Sequence, residues 1–191
     1  MQKLILASAS PRREKILKRL NLQFTVVPSK IDEDGYEHLG AEKMVKELAL
    51  LKAQDVSKLV EDTIIIAADT IIENNGKIIG KPESNADAKN MLKELKNSKH
   101  TVVTGLAVYS TFNGKEITTF DKTDVYFSDL SEEEIEKYIS TGEPMDKSGA
   151  YAIQGLGSVF VEKIEGSYFT VMGLPVHKLV KILKEFSINV L

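Results

Sequence analysis

The run Thr63-Ile64-Ile65-Ile66-Ala67-Ala68 constrains the fold more than any other part of the sequence. Its side chains are β-branched or small, and no charged residue interrupts it. A strand with one solvated face alternates apolar and polar residues, whereas a continuously apolar strand is usually covered on both faces. The run therefore predicts a central strand in a sheet that is packed on each side.

Helical and strand-like patterns alternate along the rest of the chain. Apolar spacing predicts helices over 11–20, 41–58, 85–95, 131–140 and 173–186, and strands over 4–7, 24–28, 100–112, 115–127, 159–164 and 168–172. Asn-Gly pairs at 75–76 and 113–114 predict β-hairpins. This order predicts an α/β fold with a mixed, twisted central β-sheet flanked by helices, in a single domain over residues 1–191.

Composition excludes several classes of function. A formal net charge of −3 argues against a nucleic-acid polymer as partner, since such surfaces are normally basic. The absence of cysteine excludes disulfides, thiolate catalysis and zinc–sulfur sites. The apolar run at 4–7 is shorter than the roughly 7–15 residues of a secretory signal, and no run reaches the roughly 18 of a membrane span. We expect a cytoplasmic protein with no membrane partner.

The first helix begins with an unusual pair of cations. Ser10 suits the N-cap position and Pro11 the first helical position. Arg12 and Arg13 follow in the first turn, where the positive end of the helix dipole disfavours cations. With the backbone N–H groups and the hydroxyl groups of Ser8 and Ser10, this helix start is a receptor for a phosphate-type anion. Two exposed arginines on a solvated helix end are the alternative.

Three further charged residues stand in positions that a functional site would explain. Lys52 falls on the apolar stripe of the predicted 41–58 helix, where it faces an anion or extends its stem toward solvent. Asp69 directly follows the buried strand, where α/β sheets usually place their chemistry; a local Asx turn is the alternative. Lys81 stands in a rigid, non-helical segment before Pro82, as a candidate ligand contact.

Two loops add candidate contacts. Asp32-Glu33-Asp34 forms an acidic loop that is either merely solvated or holds a hard divalent cation. Small residues are frequent over 147–157, where Gln154 interrupts an apolar stretch and a ligand or backbone can approach closely. No glycine-rich dinucleotide or Walker motif is present, so phosphate recognition would rest on side chains and a helix end.

Short motifs in a fixed order carry a resemblance to a known family. They are Ala-Ser-Ala-Ser-Pro-Arg-Arg at 7–13, Ala-Ala-Asp-Thr at 67–70, Gly-Lys-Pro at 80–82, Asp-Lys-Ser-Gly-Ala-Tyr-Ala-Ile-Gln-Gly at 146–155, Gly-Ser-Tyr at 166–168 and Gly-Leu-Pro at 173–175. In this order the chain closely resembles the Maf family of nucleoside triphosphate pyrophosphatases over essentially its whole length. Alanine at 9 and 152 and serine at 148 are small departures from the family pattern.

The resemblance implies a fold similar to that of the inosine triphosphate pyrophosphatases, the Maf/Ham1-like fold. It also implies hydrolysis of a nucleoside triphosphate to the monophosphate and pyrophosphate with a divalent metal, Mg²⁺ or Mn²⁺. The Asp-Thr pair at 69–70 and the Ile-Gln-Gly stretch at 153–155 resemble the branch that acts on dTTP and UTP. Such an enzyme would clean up nucleotide pools, modified pyrimidine nucleotides included.

The resemblance further implies roles for individual residues. The positions that the dTTP/UTP branch uses for base selection are matched by Arg12, Thr70 and Gln154. The other functional positions of the family are matched by Ser8, Arg13, Glu33, Lys52, Asp69 and Lys81. We expect the serine, the arginines and the lysines to hold the phosphates and Glu33 to hold the metal. Asp69 would act as the catalytic base or as a second metal ligand.

A second class of function is an alternative to this enzyme activity. The Maf name is associated with inhibition of septum formation, so the alternative is a non-catalytic nucleotide-binding regulator of cell division. A regulatory role and a link to cell-division arrest are also compatible with hydrolysis. A homodimer is expected from the resemblance alone.

Overall fold

The computed structural model describes residues 3–191, which form a mixed α/β fold. The strands are β1 (Lys3–Leu6), β2 (Thr25–Val26), β3 (Thr63–Asn74), β4 (Lys77–Ile79), β5 (Lys99–Ser110), β6 (Glu116–Phe127) and β7 (Val161–Glu165). The helices are α1 (Pro11–Arg19), α2 (Ala41–Ser57), α3 (Asn85–Leu95), α4 (Glu132–Ser140), α5 (Tyr168–Val171) and α6 (Val176–Glu185). Short 3₁₀ segments cover Glu37–Leu39, Glu143–Asp146, Ser148–Ala150 and Leu156–Phe160.

The seven strands form one sheet in the order β2-β1-β3-β5-β6-β7, with β4 also paired to β3. Strand β1 pairs in parallel with β2 and with β3, whereas the β3–β4 and β6–β7 pairs are antiparallel. Residues Ile64 to Ala68 are all at most 1% exposed, so both faces of this part of β3 are covered. The predicted mixed sheet and its doubly covered strand are therefore confirmed.

Strand β3 is longer than the sequence predicts, which changes the setting of Asp69. The parallel pairing with β1 ends at Ile66, and antiparallel pairing with β4 begins at Ile72. The chain between these two pairings stays extended within β3, whose other neighbour in the sheet is β5, and Asn75 and Gly76 close the predicted β3–β4 hairpin. Asp69 thus lies inside β3, beyond the carboxyl end of β1, rather than directly after a strand.

Two other strand predictions need correction. The strand β2 covers only Thr25–Val26 of the predicted 24–28, although the backbone N–H of Val27 also donates to the Leu6 carbonyl at 3.0 Å. The predicted strand 168–172 is wrong, because Tyr168–Val171 is a single helical turn. Backbone N–H groups of Thr170 and Val171 donate to the Ser167 carbonyl, to which Thr123 Oγ1 also donates at 3.0 Å. These hydrogen bonds, one of which comes from a residue distant in sequence, override the β propensity of the segment.

The chain divides into two compact units. The first comprises the described residues up to Asp69, with Thr104–Asp121 and Gly173–Leu191. The second comprises Thr70–Val103 and Lys122–Met172. The boundaries fall within β3, β5 and β6, so each of these strands has residues in both units. Within residues 3–191, no helix is both long enough and apolar enough to cross a membrane.

In the first unit, helix α2 packs against the sheet at very short range. Its Ala49, Ala53 and Val56 join a buried cluster with strand residues that include Ile65 and Ala107. A Cβ atom on Gly105 of β5 would lie 2.0 Å from the Val45 carbonyl oxygen, so only glycine permits this approach. Lys52 follows Val45 by seven residues, about two turns, and therefore shares the same helix face. The packing of α2 thus fixes the position of Lys52.

In the second unit, helices α3 and α4 pack beside each other over a core of aliphatic and aromatic side chains. Its buried members include Leu92, Leu95, Ile135, Tyr138, Phe127, Tyr151 and Phe160. Ser131 and Glu134 form a capping box at the start of α4. Ser84 also caps α3, where its hydroxyl accepts from Asp87 N at 3.1 Å. The two helices therefore begin at their predicted positions.

Candidate active site

The start of helix α1 holds Ser8 and Arg13 in contact. Arg13 Nη1 donates to Ser8 Oγ at 3.0 Å, and Arg13 Nε donates to the Gly173 carbonyl at 2.7 Å. The backbone N–H of Ser10 donates to the same Ser8 oxygen at 3.2 Å. Ser8 is buried, and a hydroxyl group that accepts hydrogen bonds still has its own proton to donate. The result is an oriented hydroxyl beside a guanidinium group.

Ser10 occupies the N-cap position and Pro11 the first helical position, as predicted. The side chain of Ser10 makes no capping hydrogen bond, however, and it is the Ser10 backbone that binds Ser8. The seryl hydroxyl that organises this helix start is therefore Ser8. Arg12 and Arg13 are half-buried here, so neither is the fully exposed arginine of the alternative interpretation.

The charge of Arg13 interacts with both candidate carboxylates. Burial lowers the pKa of Arg13 from its ordinary value, and the neighbouring charge of Arg12 lowers it further. Asp69 and Glu33 act in the opposite direction and raise this pKa. An arginine nevertheless stays protonated in proteins at any ordinary pH. The start of α1 thus supplies a permanent positive charge that acts on the two carboxylates.

Lys52 binds both of those carboxylates. Its Nζ lies 2.7 Å from Asp69 Oδ1 and 2.9 Å from Glu33 Oε2. The side chains of Lys52 and Asp69 are 9% and 7% exposed, whereas that of Glu33 is 46% exposed. The ammonium group is therefore held by ion pairs beside the core and does not extend to solvent. The geometry favours the interpretation of Lys52 as a site residue.

Asp69 has one carboxylate oxygen that is buried without a hydrogen-bond partner. Lys52 occupies Oδ1, whereas Oδ2 has no partner among the residues that the structure describes. Burial of an unpaired carboxylate oxygen is costly, so such an atom indicates a missing ligand or water. Asp69 also makes no Asx turn, because it lies within the extended β3. Its Oδ2 is the best candidate in the site for contact with a metal ion or a water.

The loop that carries Glu33 is anchored to helix α2 by Asp55. Asp55 Oδ2 accepts from Ser29 Oγ at 3.0 Å and from the backbone N–H of Lys30 at 2.9 Å. The hydrogen bond from Lys30 is the main cause that lowers the pKa of Asp55. Asp55 follows Lys52 by three residues, so one helix holds both the lysine and the loop. Sequence reasoning missed Asp55, because nothing local marks a carboxylate that binds a loop far back in the chain.

Glu33 and Asp69 are the two carboxylates of this cluster that could hold a metal ion. Within residues 3–191, no group of three or more histidine, aspartate or glutamate side chains is arranged to hold a metal ion. Two carboxylates suit a cation that takes its remaining ligands from phosphate and water, as Mg²⁺ usually does. The Asp69 Oδ2 atom, which has no partner among the described residues, and the half-exposed Glu33 therefore fit a divalent cation that arrives with a phosphate ligand.

In the second unit, the segment Ser148-Gly149 binds the backbone at Thr70 and next to Lys81. Ser148 Oγ donates to the Thr70 carbonyl at 3.1 Å, and the backbone N–H of Gly149 donates to the Gly80 carbonyl at 2.9 Å. Thr70 is half-buried, and Lys81 is exposed. Serine at 148, a departure from the resemblance, thus has a structural partner in this chain.

Gln154 lies on an exposed turn of the second unit. The backbone N–H of Gly155 donates to the Ala152 carbonyl at 3.1 Å, which closes the turn around Gln154. The structure therefore places the candidate residues in two groups. In the first unit are Ser8, Arg12, Arg13, Glu33, Lys52 and Asp69, and in the second are Thr70, Lys81 and Gln154.

The architecture is that of a known class of α/β protein. The Ham1 protein of Staphylococcus aureus superposes with a TM-score of 0.56 at 15% sequence identity, and the match covers 96% of this chain and 99% of that chain. At this identity the likeness concerns the fold alone. The predicted Ham1-like fold class is thereby confirmed.

Sequence comparison then identifies the family. The family model described as "Maf-like protein" matches residues 3–186. A protein from Alkaliphilus oremlandii named "dTTP/UTP pyrophosphatase" is 52% identical, and one of the same name from Alkaliphilus metalliredigens is 49% identical, both over the full length of each chain. A third of that name, from Moorella thermoacetica, is 47% identical over 100% of this chain and 98% of its own. The chain belongs to the Maf family.

Proposed function

We propose that this protein is a nucleoside triphosphate pyrophosphatase that hydrolyses dTTP and UTP to the monophosphate and pyrophosphate in the cytoplasm. The observation that carries the proposal is the buried Lys52–Asp69 pair, whose second carboxylate oxygen has no hydrogen-bond partner among the described residues, beside the Ser8–Arg13 helix start. Relatives that share about half of its residues over their full length carry the name dTTP/UTP pyrophosphatase, which supports the choice of substrate.

The cationic residues would hold the triphosphate. A triphosphate brings about three to four negative charges, so its transfer chemistry depends mainly on positioning and on electrostatic stabilisation. Arg12 and Arg13 lie at a helix N-terminus, where the helix dipole also favours an anion. Ser8 can donate its hydroxyl proton there, and Lys52 and Lys81 would supply two further charges. Together these groups would stabilise the charge that develops on the departing pyrophosphate.

Asp69 would act on the attacking water. A water oxygen forms a bond to the α-phosphorus, the bond from that phosphorus to the bridging oxygen breaks, and pyrophosphate leaves with the electron pair. The water proton passes to Asp69 Oδ2, which is the open oxygen, or Oδ2 orients that water. Lys52 holds Oδ1 at 2.7 Å and thereby fixes the direction in which Oδ2 points.

A divalent cation, Mg²⁺ or Mn²⁺, is part of the proposal. When bound, such an ion would neutralise phosphate charge and polarise the phosphorus–oxygen bonds. Glu33 and Asp69 would hold it through carboxylate oxygens, which are the ligands that hard cations prefer. Asp55 would contribute indirectly, because it anchors the loop that carries Glu33.

Gln154, with Thr70 and Arg12, would select the base. Thymine and uracil present the same O4, N3–H and O2 groups, and an amide can pair with one donor and one acceptor of that edge. Cytosine exchanges donor and acceptor at this edge and would leave the amide mismatched. Sites that depend on such hydrogen bonds can discriminate by up to about 10⁴–10⁵-fold. The exposure of Gln154 leaves its amide accessible to a base.

The proposal treats residues 1–191 as one functional domain, which the family match over residues 3–186 supports. A homodimer and a regulatory role in septum formation remain predictions. Light scattering of the purified chain tests the first. Pull-down from dividing cells tests the second, with Arg13→Ala, which we expect to bind nucleotide weakly, as control.

A pyrophosphate-release screen tests the proposed function. Purified protein is offered canonical and modified nucleoside triphosphates, each with Mg²⁺, with Mn²⁺ and with a chelator. We expect pyrophosphate and monophosphate from dTTP and UTP with either metal, and a large loss with the chelator. Release of inorganic phosphate in place of pyrophosphate, or no release from any nucleotide, would overturn the proposal. Binding without release would favour the non-catalytic regulator.

A further inference from the structure

The carboxylate of Glu143 is the meeting point of several hydrogen-bond donors in the second unit. Its Oε2 accepts from the backbone N–H of Leu156 at 3.0 Å. Its Oε1 accepts from the backbone N–H of Gly157 at 3.0 Å and from the hydroxyl group of Tyr138 at 2.8 Å. A carboxylate that binds two backbone N–H groups of an irregular segment holds that segment in one conformation.

Tyr138 extends this support to the other side of Gln154. The Tyr138 side chain is buried, and its Oη accepts from the backbone N–H of Ala152 at 3.2 Å. Glu143 and Tyr138 therefore hold the backbone two residues before Gln154 and again two and three residues after it. The turn that presents Gln154 is fixed at both ends by this pair of side chains.

Gly155 shows how closely Glu143 approaches the turn. A Cβ atom at position 155 would lie 2.3, 2.4 and 2.5 Å from three atoms of the Glu143 carboxyl group. A side chain at position 155 would force the Glu143 carboxyl group to move away from the turn. The glycine that follows Gln154 thus permits the close approach of Glu143.

Glu143 is itself placed by rigid neighbours. It begins the 3₁₀ segment Glu143–Asp146, which follows helix α4, and the next residue, Pro144, is buried. Lys147 Nζ donates to the Glu143 carbonyl at 3.0 Å. The Tyr138 ring packs edge-on against Phe160, with ring centroids 4.9 Å apart. The support of the turn is thus anchored in the core of the second unit.

We propose that Glu143, together with Tyr138, is a positioning residue for base selection, which fixes the turn 152–157 so that the amide of Gln154 meets the base in one orientation. This inference rests on the base-reading role proposed for Gln154. An exposed amide can only discriminate between bases if its backbone is held still, because a mobile donor and acceptor can satisfy either edge. Glu143 would supply that rigidity without contact with the nucleotide.

The ionisation of Glu143 is consistent with this role. Burial raises the pKa of Glu143, but the N–H groups of Gly157 and Leu156 and the hydroxyl group of Tyr138 lower it by more, so the net pKa lies below its usual range. The side chain is therefore a carboxylate at neutral pH, with both oxygens able to accept. A glutamine at this position would turn one acceptor into an N–H donor that opposes a backbone N–H.

The test compares Glu143→Gln with Gln154→Ala and with a matched control, Glu133→Gln. Glu133 is an exposed residue of helix α4, paired only with Lys137 at 2.7 Å among the contacts of the described chain. The measurement is kcat/KM for dTTP divided by kcat/KM for dCTP. We expect this ratio to fall about tenfold in Glu143→Gln, as the loss of one or two hydrogen bonds predicts, and to stay unchanged in Glu133→Gln.

The double variant Glu143→Gln/Gln154→Ala separates positioning from a general effect on stability. If Glu143 acts through Gln154, the double variant has the same ratio as Gln154→Ala alone. A further, additive loss of the ratio in the double variant would overturn the inference. A general loss of stability would lower the rates with dTTP and dCTP together and leave the ratio unchanged, which also overturns it.

The remaining outcomes distinguish this inference from the proposed function. If Gln154→Ala keeps the full ratio, the role proposed for Gln154 is wrong, and the inference fails with it. If Gln154→Ala loses the ratio and folded Glu143→Gln keeps it, only the inference fails. If Glu143→Gln does not fold, Tyr138→Phe takes its place, because it removes a single hydroxyl group. A fall of about threefold in the ratio supports the inference, and an unchanged ratio overturns it.

Discussion

The surroundings of Asp69 and of Gln154 differ in the interactions that they use. Charged side chains dominate around Asp69, whereas hydrogen bonds to the backbone dominate around Gln154. Asp69 lies in the interior of a strand and is buried; it binds Lys52, which also binds Glu33, and its charge interacts with that of Arg13. Gln154 lies on an exposed turn, and its supports are hydrogen bonds to backbone N–H groups. One region concentrates charge on regular elements, and the other holds an irregular segment in shape.

The difference teaches which part of the proposed reaction each region can serve. A charge that is buried on a strand or a helix interacts strongly with a bound phosphate, because little water screens it. Its position is already fixed, so no side chain needs to rearrange during phosphoryl transfer. A neutral amide on a supported turn exerts little force on a phosphate but can compare hydrogen-bonding edges. Substitutions in the first region should therefore change turnover or the binding of phosphate and metal, and those in the second should change the choice of base.

Asp69→Asn should give the largest effect. We expect hydrolysis of dTTP to fall by at least about 10²-fold, because the amide can neither accept the water proton nor hold a cation as a carboxylate does. Nucleotide binding should persist, and the ratio of dTTP to dCTP turnover should not change.

Steady-state kinetics and equilibrium binding measure these two quantities. Asp62→Asn is the control, since Asp62 is exposed just before β3 and has a positive φ that asparagine tolerates. Near-normal turnover by a folded Asp69→Asn protein would remove Asp69 from the chemistry.

The pH dependence of stability should be dominated by a residue of the second unit. His100 is buried with Nε2 2.8 Å from Tyr151 Oη, and its Nδ1 has no partner among the described residues. Burial lowers the pKa of His100 to about 4, against which Asp124 has a smaller, raising effect. Between its folded pKa and the unfolded value of 6.5, the unfolded chain binds the extra proton, so stability falls as the pH falls.

We expect this group to remove about 2 kcal/mol of unfolding free energy between pH 6.5 and pH 5. Denaturant titrations at both values measure it, and His100→Gln should flatten the dependence. His38→Gln, at an exposed site, should keep the full slope. Equal slopes in wild type and His100→Gln would show that His100 is not the buried neutral group.

Asp55→Ala should weaken the metal site without a change in base selection. The variant loses the hydrogen bonds from Ser29 and Lys30 that anchor the Glu33 loop. Loss of one or two such bonds predicts a change in Mn²⁺ affinity of about three- to tenfold. Direct Mn²⁺ titration followed by electron paramagnetic resonance measures this affinity.

The control is Ser57→Ala, which removes a hydrogen bond from Ser57 Oγ to the Gln54 carbonyl near the end of the same helix. Unchanged Mn²⁺ binding in Asp55→Ala would separate the Glu33 loop from the metal site. A loss of base selectivity in this variant would contradict the division between the two regions.

Ser8→Ala should give the smallest effect. Its hydroxyl accepts from Arg13 and from the Ser10 backbone, so the variant loosens the guanidinium and removes one donor to phosphate. We expect KM for dTTP to rise about threefold to fivefold with little change in kcat, which corresponds to about one hydrogen bond.

Ser10→Ala is the matched control, since the Ser10 side chain makes no capping hydrogen bond. The two variants should therefore differ in KM although each removes one hydroxyl group from the same helix start. Equal KM values in the two variants would show that Ser8 has no special role.

Much of the fold could be predicted because its causes are local. The capping serine at Ser84 and the capping box at Ser131 mark the starts of α3 and α4. The Asn75-Gly76 pair marks a hairpin, and the continuous apolar run marks the covered part of β3. The predicted strand over 168–172 is wrong, because Thr123, distant in sequence, binds the Ser167 carbonyl at the start of the helical turn Tyr168–Val171.

The candidate site also combines features with local causes and features that depend on residues distant in sequence. Sequence alone determined that two arginines open α1, that Lys52 lies on an apolar stripe and that an aspartate follows a buried run. These properties depend on the spacing of residues that are close in sequence, so they can be read directly from the sequence.

Only the tertiary structure decided what those residues touch. It gave Lys52 both carboxylates as partners, left Asp69 Oδ2 open, and anchored the loops of Glu33 and Gln154 on Asp55 and Glu143. A carboxylate that binds a distant backbone N–H has no sequence signature, because every residue except proline offers the same N–H group. The chemical type of each candidate group can therefore be read from the local sequence, whereas the contacts and orientation of its side chain are set by the fold.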